Sequence, residues 1–348
     1  MRNFGVHFRL HRSDHYKWGL SYFCYFSLGW ITLLLFAGGF TTSIDAGMAF
    51  LDWPLSNGSL NPEGWLENQD MLAEHSHRLL GAKIGLLSLI IFFWHLFREK
   101  RAWLRRLSLL LICAVVFQGL LGGFRVLLDQ QNIMTESNVI AQVFLVFHAV
   151  GAQLVLLVLT TIAFGQSRFF QDLVNAPPQI NHKAKVFGGI TVFLLGVTLL
   201  MGAVMRHQGN QAALSIPTFP YSSPSHEWLP PVWNVNIMIH FAHRVLAVLS
   251  TLSLIVFAGV MWGINLRPKL RLLIAFPCVM IVVQIYLGAL VIWTQVNSYS
   301  ATIHMLNGAF LLAGTWLLFF ITQFKWSAKK QMVVKSCLST VRELEYSH

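Results

Sequence analysis

Long apolar runs alternate along the chain with short polar connections. Runs able to cross roughly 30 Å of hydrocarbon fall near 18–40, 75–97, 107–128, 141–165, 186–206, 236–264, 271–293 and 302–324. Each predicts a transmembrane helix, so the expected fold is all-α and integral to a membrane, with eight spans. Basic residues cluster in alternate connections: Arg98, Lys100, Arg101, Arg105 and Arg106 after the second run, and Lys183 and Lys185 before the fifth. Arg267, Lys269 and Arg271 follow the sixth run, and Lys325, Lys329 and Lys330 the eighth. Positive connections stay on the cytoplasmic side, which places both termini there and turns the long connections 41–72 and 207–235 outward.

The two halves of the chain repeat one another. His77-Arg78 recurs as His243-Arg244, Gln118 and Gly122 recur as Gln284 and Gly288, and Asp52-Trp53-Pro54 recurs as Thr218-Phe219-Pro220, all at an offset of 166. A common offset across loop and helix positions argues for duplication. His148 and His304 match at an offset of 156, because the connection before the eighth run is about ten residues shorter than the one before the fourth. Four spans return the chain to its starting side, so the repeats run parallel. The sequence therefore predicts two four-helix bundles, 1–170 and 171–348, related by a pseudo-twofold along the membrane normal, the second ending in a short cytoplasmic tail.

Composition agrees with lipid as the solvent: of 348 residues, 55% are hydrophobic and 11% charged. The net charge of +11 falls in the short connections rather than along a stripe, which fits membrane orientation and excludes a nucleic-acid partner. Cys24, Cys113, Cys278 and Cys337 are scattered with no CxxC spacing, suggesting neither zinc nor a disulfide framework. The segment before the first run is polar and basic without a cleavage site, so that run is expected to stay as a helix. With no signal or transit peptide evident, the expected location is a bacterial plasma membrane.

Ionisable groups inside spans are costly and tend to mark function. His77 and His243 lie near the outer ends of the second and sixth runs, and His148 and His304 near those of the fourth and eighth. A single such histidine reads best as an interhelical hydrogen bond, but four at repeat-related positions read as ligands. Two imidazoles at one depth can hold a flat macrocycle between them, and haem is the group that fits. A bare metal fits less well, because neither half offers a third ligand at equivalent positions. Arg78 and Arg244 follow their histidines and read equally as propionate partners or as side chains snorkelling to the headgroups. Glu74 precedes His77 by three residues on one helical face, where the second half has His240. It reads equally as a group for proton transfer or charge stabilisation and as a helix cap. His75 reads as interfacial and His95 as incidental, while His182, His207 and His226 read as loop residues.

Glu74-His75-Ser76-His77-Arg78-Leu79, Thr41-Thr42-Ser43 through Gly47-Met48-Ala49 to Asp52-Trp53-Pro54, and His240 with His243-Arg244 resemble the haem A synthase family, also called the cytochrome oxidase assembly protein 15 or CtaA family. The likeness runs from the first span through the eighth. It implies an oxidoreductase that converts haem O to haem A by successive hydroxylation of the C8 methyl group to a formyl group, for use in terminal oxidases. It further implies haem B as cofactor on His243 and His304 beside Arg244, substrate haem O on His77 and His148 beside Arg78, and Glu74 as the catalytic carboxylate. A haem O synthase as supplier, an electron-transfer partner and a homo-oligomer are compatible with it. Bis-histidine pairs alone would equally serve a di-haem b-type membrane cytochrome that passes electrons, for example from quinol, without modifying haem. Many bacterial members carry a cysteine pair in an outer loop; this chain has none there, which argues against a thiol relay.

Overall fold

The computed structural model describes residues 17–130, 139–175, 178–264 and 268–324. Arg267, Lys325, Lys329, Lys330, Cys337 and the segment 1–16 lie outside the described residues. Ten helices make up the described secondary structure: α1 Trp18–Ser43, α2 Gln69–Arg98, α3 Ala102–Gln130, α4 Val139–Gln166, α5 Arg168–Asn175, α6 His182–His207, α7 Asn210–Ala213, α8 Val235–Trp262, α9 Pro268–Trp293 and α10 Ser298–Gln323. Eight of them are long and apolar enough to cross a membrane, all but the short α5 and the single turn α7.

Each of the eight apolar runs becomes one helix, but several helices start four to six residues before the run that signals them. For α2, α6 and α10 the reason is capping. Asn68 accepts hydrogen bonds from the backbone N–H groups of Asp70 and Met71 at 2.9 and 3.1 Å, Asn181 from Ala184 at 2.8 Å and Asn297 from Tyr299 at 3.0 Å. These side chains satisfy N–H groups that a helix start leaves unpaired, so a polar first turn stands ahead of the apolar stretch. Glu74 is therefore not a cap; Asn68 fills that place. His182 and His207 open and close α6 rather than lying in loops.

Helix neighbours follow one order in both parts of the chain: α1 against α2, α2 against α3 and α3 against α4, then α6 against α8, α8 against α9 and α9 against α10. The parts meet through α1 with α10, α4 with α6 and α4 with α10. Central α10 is the most buried of the eight apolar helices. An aromatic cluster closes the short-loop end, where Phe170 of α5 packs against Trp103 of α3 and against Phe324 beyond α10, at 5.7 and 5.5 Å between ring centres.

The same end holds a buried ionic network. Glu99, 3% exposed, receives Arg101 through Nε at 2.9 Å and Nη2 at 3.0 Å and Gln166 Nε2 at 2.9 Å. Arg101 also donates to Gly165 O at 2.7 Å and Gln166 Oε1 at 2.8 Å, which ties the α2–α3 turn to the end of α4. His95, fully buried, stands 3.0 Å from Gln166 through Nε2, so it belongs to this network and is not incidental. Burial works against the Glu99 charge, yet the Arg101 and Gln166 bonds hold its carboxyl far below the ordinary value of 4.5. A carboxyl so depressed contributes stability that is complete above its unfolded value and is lost as pH falls below it. Removing one member of a buried pair costs about 3–5 kcal/mol. Arg101→Met is therefore expected to lower the melting temperature of detergent-solubilised protein markedly, and adding Glu99→Gln to restore part of the loss. An unchanged melting temperature in the single variant would show that the network carries little stability.

Candidate haem sites

The four intramembrane histidines are seated in one way. Each ring lies against a glycine of the preceding apolar helix: His77 against Gly38, His148 against Gly122, His243 against Gly202 and His304 against Gly288. A Cβ built on Gly38 would come within 2.6 Å of His77 Cε1, and one on each of the other three glycines within 3.2 Å of its partner's Cε1. The missing Cβ lets the ring reach the backbone carbonyl four residues earlier. His148 Nδ1 lies 3.0 Å from Gln118 O and His243 Nδ1 3.1 Å from Thr198 O. Leu34 and Gln284 present the equivalent carbonyls to His77 and His304, whose Nδ1 atoms are buried without a completed hydrogen bond. An Nδ1–H directed at a carbonyl leaves the Nε2 lone pair for a metal, the usual second partner of a ligating histidine.

The rings of His77 and His148 are 6.2 Å apart between centres and nearly perpendicular, at 89°. Two metal–nitrogen bonds of about 2 Å each, with half an imidazole at either end, span about 6 Å, so the pair is spaced for one metal between them. His243 and His304 lie within electrostatic reach of each other. Gln284 Nε2 is 3.3 Å from His304 Nε2 and is itself held by Asn307, which donates to Gln284 Oε1 at 2.7 Å. A ligand on His304 would displace this amide. Among the described residues no group of three His, Cys, Asp or Glu side chains gathers as a bare-metal site. The donor set is paired imidazoles, and the group that suits it is a haem.

Arg78 and Arg244 are occupied in a way that their sequence context does not reveal. Arg78 donates to the carbonyls of Phe50 at 3.2 Å, Asp52 at 2.7 Å and Leu55 at 2.5 Å. Arg244 donates to those of Ile216 at 3.1 Å, Thr218 at 2.6 Å and Tyr221 at 3.1 Å. The acceptors correspond one by one at the same offset of 166 as the arginines themselves. Each guanidinium thus latches a long connection to the helix that carries it. Asp52 shapes the first connection by accepting from Asn57 N at 2.7 Å and Gly58 N at 2.8 Å. Burial opposes its charge, but these N–H groups keep its carboxyl below the ordinary range.

Glu74 and His240 complete the two latches differently. Glu74, 4% exposed, accepts from Arg78 Nη2 at 2.5 Å and Nε at 3.1 Å and from Phe50 N at 3.1 Å. His240, 3% exposed, accepts from Arg244 Nε at 3.1 Å. His75 is buried beneath the first long connection, with Nδ1 3.0 Å from Ser56 Oγ and its ring 4.7 Å from that of Trp65. Trp53 lies on Gly123 of α3, which seats the Asp52-Trp53-Pro54 turn on the bundle. Gly38 and Gly202 had no signal in the repeat, because they correspond at an offset of 164; Gly122 and Gly288 did, inside the matched glutamine-to-glycine stretch. Charge-assisted hydrogen bonds contribute about 1.5–3 kcal/mol each, so Arg244→Met should raise amide hydrogen exchange across 214–222 at least roughly tenfold while the middle of α8 stays protected. Unchanged exchange there would show that the connection is held by other contacts.

The chain matches the cytochrome oxidase assembly protein family COX15-CtaA over residues 21–316. It is 27% identical over 313 residues to a heme A synthase of Bartonella quintana, covering 78% of this chain and 83% of that protein. It is 27% identical over 288 residues to one of Shouchella clausii, covering 80% and 86%, and 26% identical over 324 residues to one of Rhodospirillum centenum, covering 82% and 83%. With eight apolar helices and a match that runs through most of them, the chain belongs to the cytochrome oxidase assembly protein family COX15-CtaA.

Proposed function

We propose that the protein is a haem A synthase, an oxidoreductase that converts haem O to haem A by oxidising a methyl group of the macrocycle to a formyl group. The observation that carries the division of labour is the pair of histidine sites built alike but completed by Glu74 in one and His240 in the other. We read 1–170 and 171–348 as two four-helix halves related by a pseudo-twofold along the membrane normal. The matching helix neighbours, glycine seats and arginine latches support that reading.

His77 and His148 would hold substrate haem O, and His243 and His304 a resident haem B. When bound, haem B would supply one-electron redox chemistry. Glu74 stands one helical turn before His77, and the Arg78 fork and Phe50 N–H fix its carboxylate. So held, it is placed to move a proton or to balance positive charge developing on the substrate. His240 in the other half receives its hydrogen bond from Arg244 and serves only to seat the latch. An electron-passing cytochrome would have no use for this difference between its two sites. The protein would lie in a bacterial plasma membrane with its long connections outward, since Lys100, Arg105, Arg106, Lys183, Lys185, Lys269 and Arg271 all lie at the opposite end. A haem O synthase would supply the substrate.

Glu74→Gln is expected to keep haem B at parental stoichiometry and to lose haem A formation by two or more orders of magnitude, on the order of 10²–10⁴-fold for a lost acid–base group. His243→Ala and His304→Ala should each lose the haem B spectrum. Gly38→Ala should impair capture of haem O, with Gly119→Ala, whose Cβ would meet nothing within 4 Å, as the neutral control. Full haem A formation by Glu74→Gln in membranes supplied with haem O would remove Glu74 from the mechanism.

A further inference from the structure

One half-buried cation on α6 reaches across to the other half of the protein. Arg206 donates through Nη2 to Gly39 O of α1 at 2.6 Å and to Ser43 Oγ, and through Nη1 to Ala301 O of α10 at 3.5 Å. Gly39 directly follows Gly38, the seat of His77. Ala301 is three residues ahead of His304. The two helices so bridged are packed closely here: a Cβ on Gly39 would strike Met305, the neighbour of His304, and would lie 3.3 Å from Thr302 Cγ2. Ser43 Oγ is 2.9 Å from Thr302 Oγ1, and Ser298 Oγ donates to Ser43 O at 3.1 Å. The repeat offers no second copy of this arrangement. Arg206 lies four residues after the glycine seat Gly202, whereas four residues after Gly38 stands Thr42.

The charge also lies within electrostatic reach of His304 and of its own neighbour His207, which Arg125 and His148 of the other site also influence. Its counter-charge is Asp45, exposed in the connection after α1. A positive charge fixed in a medium of low dielectric favours the less positive oxidation state of a nearby metal, and surroundings of this kind tune haem potentials.

We propose that Arg206 is a positioning residue that joins the two sites: its fork keeps α1 beside the His77 seat in register with α10 ahead of His304, and its charge raises the reduction potential of the haem held by His243 and His304. The proposal rests on the haem reading given above. The measurement is a redox titration of haem B in the purified full-length protein, alongside haem content and haem A formation. Arg206→Met is expected to retain haem B and to show a lower midpoint potential than the parent. Arg206→Lys keeps the charge without the fork, so its potential should return towards the parental value while haem A formation stays about tenfold below it. A purely structural role would not separate the two readouts in this way. A parental potential in Arg206→Met overturns the proposal. If that variant sheds its haem, Arg206→Gln and Arg206→Lys are compared instead; a potential as high with Gln as with Lys overturns it equally. A parent without haem B, or one whose haem B survives both His243→Ala and His304→Ala, overturns the site reading itself and the proposal with it.

Discussion

A neutral imidazole carries one N–H that has to be bonded, and within a bundle of apolar helices the acceptors at hand are carbonyls already bonded in their own helix. Such a carbonyl has a second lone pair, but the side chain four residues later usually shields it. Glycine at that position removes the shield. Gly38, Gly122, Gly202 and Gly288 do this for His77, His148, His243 and His304, and the bonds to Gln118 O and Thr198 O show the result. With Nδ1 directed at the backbone, Nε2 remains for a ligand. The four glycines lie where α1 meets α2, α3 meets α4, α6 meets α8 and α9 meets α10.

Above the histidines a second device repeats. Besides Glu74 and His240, Arg78 and Arg244 bind main-chain carbonyls of the two long connections, so this anchoring does not depend on which side chains the connections carry. Asp52-Trp53-Pro54 and Thr218-Phe219-Pro220 share only the proline, yet Asp52 and Thr218 present their carbonyls to equivalent arginines. The two latches differ at the side chain one turn before each arginine. Glu74 gives one site a carboxylate fixed by a guanidinium; His240 gives the other a neutral acceptor. The two histidine pairs thus share glycine seats and arginine latches but differ in the acceptor that each latch includes.

Much of this was legible in the residues. Hydropathy placed all eight apolar helices, since lipid leaves little choice about what a long apolar run becomes. It missed the first turns of α2, α6 and α10, because asparagine caps extend a helix into polar sequence. The histidine pairs could be found by matching the halves, and the Glu74-to-His240 difference came with them. The glycine seats Gly38 and Gly202 were hidden by an offset two residues short of the rest. The arginine latches were hidden because main-chain acceptors leave no trace in side-chain identity. Arg101, counted as one more positive charge beside the membrane, proved to be the buried partner of Glu99 and of Gln166, 65 residues away. Arg206 has no repeat partner, and only the packing of α1 on α10 shows what it reaches.

The central claim is that one pair of histidines receives a haem to be oxidised while the other retains a haem that is not. Extraction of the haems from the purified protein, expressed together with a source of haem O, tests it directly by pyridine haemochrome spectra and mass. The account predicts haem B together with haem O, its hydroxylated intermediate or haem A. Haem B alone, with both pairs occupied, would contradict it and leave an electron-passing cytochrome.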